Sequence, residues 1–331
     1  MIIDIHNHYR SKELFEELLK RGQFKIVEDS AGRKLMYDRG VFIAAMPEQY
    51  EEPSLDKRLR MMDDHGIDVQ ILSIPRSSDY SSENGPYLAR VANDGIAAVV
   101  RKHPDRFAGL ASIPIKNMER AMEELDRAFN ELKMKGLCIS GHIGGIPLDS
   151  KELWPFYERV VELDVPLLVH PGIPPGAEAM KGYALLSTVG FEFDLILGMT
   201  RLIFGGVLEA FPALKFIFSH LGGGMPFLKE RVESHWEFAK TDPDLQTKIS
   251  KHPSEYLETI YLDTVSFYKP AILCAIQCSG VDNLLFGTDY PFSGRKDALG
   301  DSVRIIKEMD ICEKDKKKIF SENAKKLFKI S

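Results

Sequence analysis

Eight short apolar runs, each followed by an amphipathic stretch, constrain this chain more than any other feature. The runs fall at residues 2–7, 68–74, 107–113, 136–140, 165–169, 215–219, 259–263 and 283–288. Between them apolar residues recur at helical spacing over 55–65, 87–103, 118–133, 150–163, 193–211, 225–240 and 268–279. Strand and helix in strict alternation build a parallel sheet, because each parallel pair needs a crossover that a helix supplies. The runs are continuously apolar rather than alternating, as strands covered on both faces are. Eight units of roughly 40 residues predict that the sheet closes as a (β/α)8 barrel of the TIM type. Breakers mark the joints at His103-Pro104, Val165-Pro166, Phe211-Pro212 and Ser279-Gly280, and no Gly/Ser-rich linker divides the chain. A single domain over 1–331 is therefore expected. The segment 10–52 is too long for one strand-to-helix connection and carries Phe24, Tyr37, Phe42 and Tyr50. It is expected to be an insertion over the barrel mouth, where function-bearing loops gather.

The residues that carry chemistry fall at the ends of these runs. His6 and His8 close the first run; side chains alternate along a strand, so one strand delivers both imidazoles to one side. His170 follows the fifth run, His220 the sixth and Asp289 the eighth. The C-terminal strand ends are the catalytic face of such barrels. A lone histidine there is ordinarily a hydrogen-bonded core residue. Four histidines and a carboxylate at such ends point instead to a metal site, since these groups are costly to bury without partners. Three imidazoles and a carboxylate suit Zn²⁺, and also Mn²⁺ or Fe²⁺, with a position left for water or substrate. The fourth run ends without a lysine that could be carbamylated to bridge two ions, so one divalent ion is expected. His142, just past that run, is a candidate to meet the substrate. Asp4 is expected on the inward face with His6, two residues deeper, ordering the barrel interior. His65, His103, His235 and His252 lie on or beside helices and carry no such signal. Gly222-Gly223-Gly224 lacks the Lys and Ser/Thr of a phosphate loop, and no nucleophile elbow is present.

Composition narrows the partners. The net charge is −6, with acids and bases mixed along the chain. Neither nucleic acid nor an anionic membrane is expected as a partner. No run reaches the roughly 18 apolar residues of a membrane span, and no basic-then-apolar leader opens the chain. The four cysteines form no Cys-x-x-Cys, and Cys274 and Cys278 sit in an apolar helical run. Buried thiols and a cytoplasmic location are expected.

The order His6-x-His8, Val169-His170-Pro171, Ser219-His220-x-Gly-Gly-Gly and Gly287-Thr-Asp-Tyr-Pro-Phe292 resembles the amidohydrolase-related family. Within it, the chain resembles the metal-dependent decarboxylase branch that includes α-amino-β-carboxymuconate-ε-semialdehyde decarboxylase and the aromatic-acid decarboxylases. The likeness runs end to end, through 58–63, 103–107, 211–215, 226–231 and 322–324. It implies that His6, His8, His170 and Asp289 bind the metal and that His220 transfers protons. It also implies that Arg231 contacts a substrate carboxylate, in some members from the neighbouring subunit of a homodimer. The implied reaction is non-oxidative decarboxylation of a small unsaturated or aromatic carboxylic acid, with His220 and Asp289 managing the protons and no redox cofactor. The same site also suits a hydrolase of a lactone, amide or ester, or a hydratase of an unsaturated dicarboxylate. A binding protein that had lost its chemistry would lack a ligand, and all are present. Two departures stand out: Pro-Gly-Ile-Pro-Pro follows His170 where the muconate enzymes would have a tryptophan, and His6 stands where some aromatic-acid decarboxylases carry an acid.

Overall fold

The computed structural model describes residues 1–330 apart from 23, 39, 52, 77–79, 81, 82, 293 and 294. All eight apolar runs form strands of one parallel sheet: β1 (Ile3–His8), β2 (Val69–Ser73), β3 (Phe107–Ala111), β4 (Gly136–Ser140), β5 (Pro166–His170), β6 (Lys215–Phe218), β7 (Tyr261–Asp263) and β8 (Leu284–Leu285). They are neighbours in that order. β8 is shorter than its run because residues 286–290 leave the ladder to bond β1. Ile5 N donates to the Phe286 carbonyl (2.9 Å), Asp289 N to that of His6 (2.8 Å) and His8 N to that of Tyr290 (2.7 Å). These bonds close the barrel.

The interior is packed, not hollow. Ile3, Ile5, Val69, Ile71, Leu110, Cys138, Leu168, Ile217 and Leu285 form its filling, joined by Ala324, Leu327 and Phe328 of the last helix. A second, larger apolar layer lies between strands and helices. Along β1 the register with β2 shifts between Asp4 and Asn7. A bulge adds one residue to a strand and so reverses its alternation. This is how Ile3 and Ile5 fill the interior while His6 and His8 still face the mouth. Asp4 is thereby turned away from the inward face expected for it. Its carboxylate accepts from Gln70 Nε2 (2.9 Å) and from Thr288 N (3.1 Å) and Oγ1 (2.8 Å).

The helices begin where capping residues permit. Ser54 accepts from Lys57 N at the start of the Leu55–His65 helix, and Asn117 from Arg120 N at the start of Met118–Asn130. The stretch 193–211 is two helices, Phe191–Phe204 and Val207–Ala210, divided at Gly205-Gly206. The expected insertion carries its own three-stranded antiparallel sheet, Lys25–Glu28, Lys34–Asp38 and Val41–Ala45. Met36, Val41 and Ile43 of that sheet pack on Ile173, Ala177 and Leu186 beyond β5, so it forms a roof. No helix among the described residues is long and apolar enough to cross a membrane.

Candidate active site

β1 brings the Nε2 atoms of His6 and His8 to 3.2 Å of each other. Asp289 Oδ1 lies 3.1 Å from His8 Nε2 and 3.4 Å from His6 Nε2. His170, ending β5, sets its ring centroid 5.2 Å from that of His6 and 4.8 Å from that of His8. One potential ligand atom from each of the four lies within 4.8 Å of the others. Donors bound at about 2.1 Å to a common ion stand roughly 3–4 Å apart, so the set can hold one cation with little movement.

The outer nitrogens of the two β1 rings are occupied. His6 Nδ1 is 2.5 Å from Asp263 Oδ2, both side chains fully buried, and His8 Nδ1 is 3.1 Å from Ser73 Oγ. Such partners fix the ring and direct the other nitrogen to the cavity. Burial drives His8 down to about 4 and, as the largest cause, drives His170 well below the usual imidazole range. Both are therefore neutral, the form that ligates a metal. Burial also opposes charge on His6, but Asp263 and Asp289 outweigh it and lift that ring to about 10, so an ion held there would displace a proton from His6. Asp289 stays well below the usual carboxylate range, because bonds from His6 and His8 outweigh its burial.

His220 opens a turn in left-handed conformation: φ is +51° there, +53° at Leu221, and +70°, +68° and +102° at Gly222, Gly223 and Gly224. Glycine populates that region readily. A Cβ at Gly223 would also stand 2.4 Å from the Glu192 carbonyl. The three glycines thus serve a tight turn that sets the His220 ring parallel to that of His6, 5.4 Å away. His220 Nδ1 is 2.9 Å from Glu192 Oε1, while Nε2 is buried without a hydrogen-bond partner among the described residues. Asp289 Oδ2 is 3.9 Å from that Nε2, beyond bonding distance. Burial disfavours charge on His220, yet Glu192 outweighs it and raises its pKa.

The four proposed ligands and His220 are thus brought together; two other candidates are not. His142 is buried, with Nε2 2.7 Å from the Ile173 carbonyl. Asp194 lies 3.8 Å from it and accepts from Gly172 N at 2.7 Å. The pair clamps the loop leaving His170, and His142 is not part of the cavity wall. Arg231 is exposed on the Met225–Ala239 helix, also outside the cavity of its own chain. Sequence reasoning missed Asp263, Ser73 and Glu192. Asp263 ends β7 and obeys the strand-end rule that found Asp289. Glu192, at a helix start, carries no comparable signal.

Between mouth and roof lies a cavity of about 360 Å³, onto which His8, His170, His220 and Asp289 open. Phe24, Tyr50, Phe191 and Phe292 give it aromatic walls. This suits a small, flat ligand.

A closed barrel with a buried histidine–aspartate cluster at its C-terminal face, roofed over an aromatic cavity, defines a metal-dependent barrel enzyme. Residues 3–330 match the amidohydrolase family, and the chain belongs to it. It is 34% identical to a γ-resorcylate decarboxylase of Polaromonas sp. strain JS666 over 290 residues, covering 83% of this chain and 87% of that one. It is 30% identical over 330 residues to 2-amino-3-carboxymuconate-6-semialdehyde decarboxylase of Dictyostelium discoideum, covering 97% and 90%. Among solved structures it is similar to a dihydroxybenzoic acid decarboxylase from Polaromonas sp. JS666 with bound manganese and the inhibitor 2-nitroresorcinol. That match has a TM-score of 0.82 and 29% identity, over 99% of this chain and 97% of that one. The manganese in that relative and the cluster in this chain together support a divalent metal.

Proposed function

We propose that this protein is a metal-dependent, non-oxidative decarboxylase of a small aromatic or unsaturated carboxylic acid. The observation that carries the proposal is a buried His220 Nε2 without a hydrogen-bond partner among the described residues, beside four potential ligands and facing a cavity with aromatic walls. His6, His8, His170 and Asp289 would hold the ion, which when bound supplies a Lewis-acid anchor for substrate oxygens. The aromatic walls align a conjugated acid, and the roof limits water. His220, held through Nδ1 by Glu192, delivers a proton from Nε2 to the carbon that bears the carboxylate. As that C–H bond forms, the bond to the carboxylate breaks, its electron pair stays on the carbon, and CO2 leaves. Asp289, across from Nε2, steadies the charged imidazole between turnovers.

Zn²⁺ is the ion we propose, since three imidazoles and one carboxylate suit it; Mn²⁺, as in the Polaromonas relative, is the competing outcome of an elemental analysis. We further propose a homodimer in the cytoplasm, with residues 1–331 acting as one domain. Phe193 (54% exposed) and Leu197 (45%) on the Phe191–Phe204 helix, and Phe227 (86%) and Phe238 (64%) on the Met225–Ala239 helix that carries Arg231, leave apolar side chains for a second copy to cover. In that arrangement Arg231 would reach a neighbour's substrate. All four cysteines are thiols, in keeping with a reducing compartment.

The test is CO2 release from a panel of phenolic and muconate-type acids, 2,6-dihydroxybenzoate among them, before and after chelation. Release that a chelator abolishes and added metal restores is expected. Activity confined to lactones, amides or esters overturns the proposal.

A further inference from the structure

One buried charge beside the cavity has no part in the reaction above. Arg10, two residues beyond His8, is only 1% exposed. Its guanidinium lies between two rings: Cζ is 3.3 Å from the centroid of Phe15 and 4.1 Å from that of Tyr50. Nη2 donates to the Tyr50 carbonyl and lies 3.8 Å from Met46 Sδ. Nε and Nη1 are buried with no hydrogen-bond partner, and among the described residues no carboxylate forms an ion pair with Arg10. Glu51, whose field reaches it, has Oε1 2.5 Å from Lys34 Nζ.

A cation placed there without an acid opposes folding, since burial strips its water and two donors go unanswered. Burial also lowers its pKa to about 10, which leaves it charged at neutral pH. An apolar side chain of similar length would fill the space at no such cost. What the guanidinium adds is a double hold on Tyr50. Its flat centre lies over the ring, while its edge donates to the backbone carbonyl of the same residue. Ring contact alone leaves a side chain free to slide, and a carbonyl bond alone leaves it free to turn.

Tyr50 passes that placement on to the site. Its ring meets Phe292 with centroids 4.5 Å apart and planes at 66°. Phe292 N donates to the Asp289 carbonyl (2.7 Å), and its ring is 5.7 Å from that of His8. Tyr50 and Phe292 belong to the aromatic wall of the cavity, and Arg10 stands behind it. The row Phe15, Arg10, Tyr50, Phe292 thus runs from the Lys12–Lys20 helix, past the end of β1, to the turn that carries Asp289.

We infer that Arg10 is a positioning residue: it fixes Tyr50, and through Tyr50 the aromatic wall, where a flat ring is bound. The inference takes from the proposed function only that a ring enters this cavity, and binding measured without turnover separates the two. Affinities of the metal-loaded enzyme for salicylate, and for oxalate, which has no ring, are read by titration calorimetry. Arg10→Met is expected to weaken salicylate about 3- to 10-fold, the range of a well-placed ring contact, and oxalate by less than about twofold. Its midpoint in urea should be no lower than that of the unaltered enzyme, because a cation without an acid has left the interior. Arg10→Lys keeps a cation for the rings and a donor for the carbonyl, so it should retain most of the salicylate affinity. Tyr50→Ala should weaken salicylate by itself, and adding Arg10→Met to it should change nothing more. In turnover the loss falls on KM rather than kcat. An Arg10→Met protein that unfolds at lower urea, or fails to fold, makes the guanidinium a prop of the fold and overturns the inference. So do equal losses for both ligands, an unchanged salicylate affinity, or losses that add in the double variant. If the affinity pattern holds and no acid releases CO2, the positioning stands and the decarboxylase proposal falls.

Discussion

Asp263 stands behind His6 at 2.5 Å, with neither side chain reached by solvent. A carboxylate in that position orients the ring and strengthens its outward nitrogen as a donor. Asp263→Asn keeps an acceptor for Nδ1–H but removes the charge, so the fold is expected to survive while metal affinity falls about 10- to 100-fold. Competition against a chelator of known affinity measures this, and unchanged affinity would remove Asp263 from the holding of the ion. His220 has the opposite expectation. His220→Ala should retain its metal by elemental analysis and lose CO2 release by about 10²- to 10⁴-fold, the usual worth of a positioned proton donor. A variant that arrives empty would make His220 a ligand. His6, His8, His170, His220 and Asp289 were legible because a strand end is a position that sequence can mark. Asp263 obeyed the same rule and was passed over, since one acid after a tyrosine and a leucine is unremarkable without its partner. Glu192 lies 28 residues before His220. Only the left-handed turn at 220–224 brings the two together, and no periodicity encodes that.

Among the elements, the tie between the Leu55–His65 helix and β1 is the most consequential for the site. Arg58, buried on that helix, donates through Nη1 to Asn7 Oδ1 (3.1 Å) and Gln70 Oε1 (2.9 Å), and through Nη2 to the His8 carbonyl (2.5 Å). It also lies over the Tyr290 ring, 4.9 Å from its centroid. Arg58→Met would leave these acceptors buried without a donor, and a loss of about 3 kcal/mol in urea unfolding is expected. A change below about 0.5 kcal/mol, the size of an ordinary surface substitution, would mean that the network repairs itself. The strands could be read because burial on both faces leaves an unbroken apolar run. The bulge in β1 could not, since an extra residue between Asp4 and Asn7 changes register without changing composition. That is why Asp4, before the shift, faces away from the interior expected for it, while His6 and His8 share the face toward the mouth. The division of 193–211 at Gly205-Gly206 was visible as a glycine pair but lay inside an otherwise helical pattern.

For the molecule as a whole, the proposed homodimer rests on the exposed apolar side chains around Phe227. Sedimentation at assay concentration is expected to give twice the chain mass, and Phe227→Asp to give a monomer. If Arg231 serves a neighbour's site, that monomer should lose turnover even with its metal in place; an active monomer would leave Arg231 without that role. The closure of the barrel has a consequence of another kind. Asp289 reaches His6 and His8 only when residues 286–290 lie along β1, so the cluster joins parts of the chain more than 280 positions apart. During synthesis, His6, His8 and His170 leave the ribosome long before Asp289 does. A nascent chain can therefore offer only an incomplete, three-histidine set, open to whichever ion is nearby. Discrimination among metals must wait until the last strand has docked, which makes ion choice a late step in the protein's production.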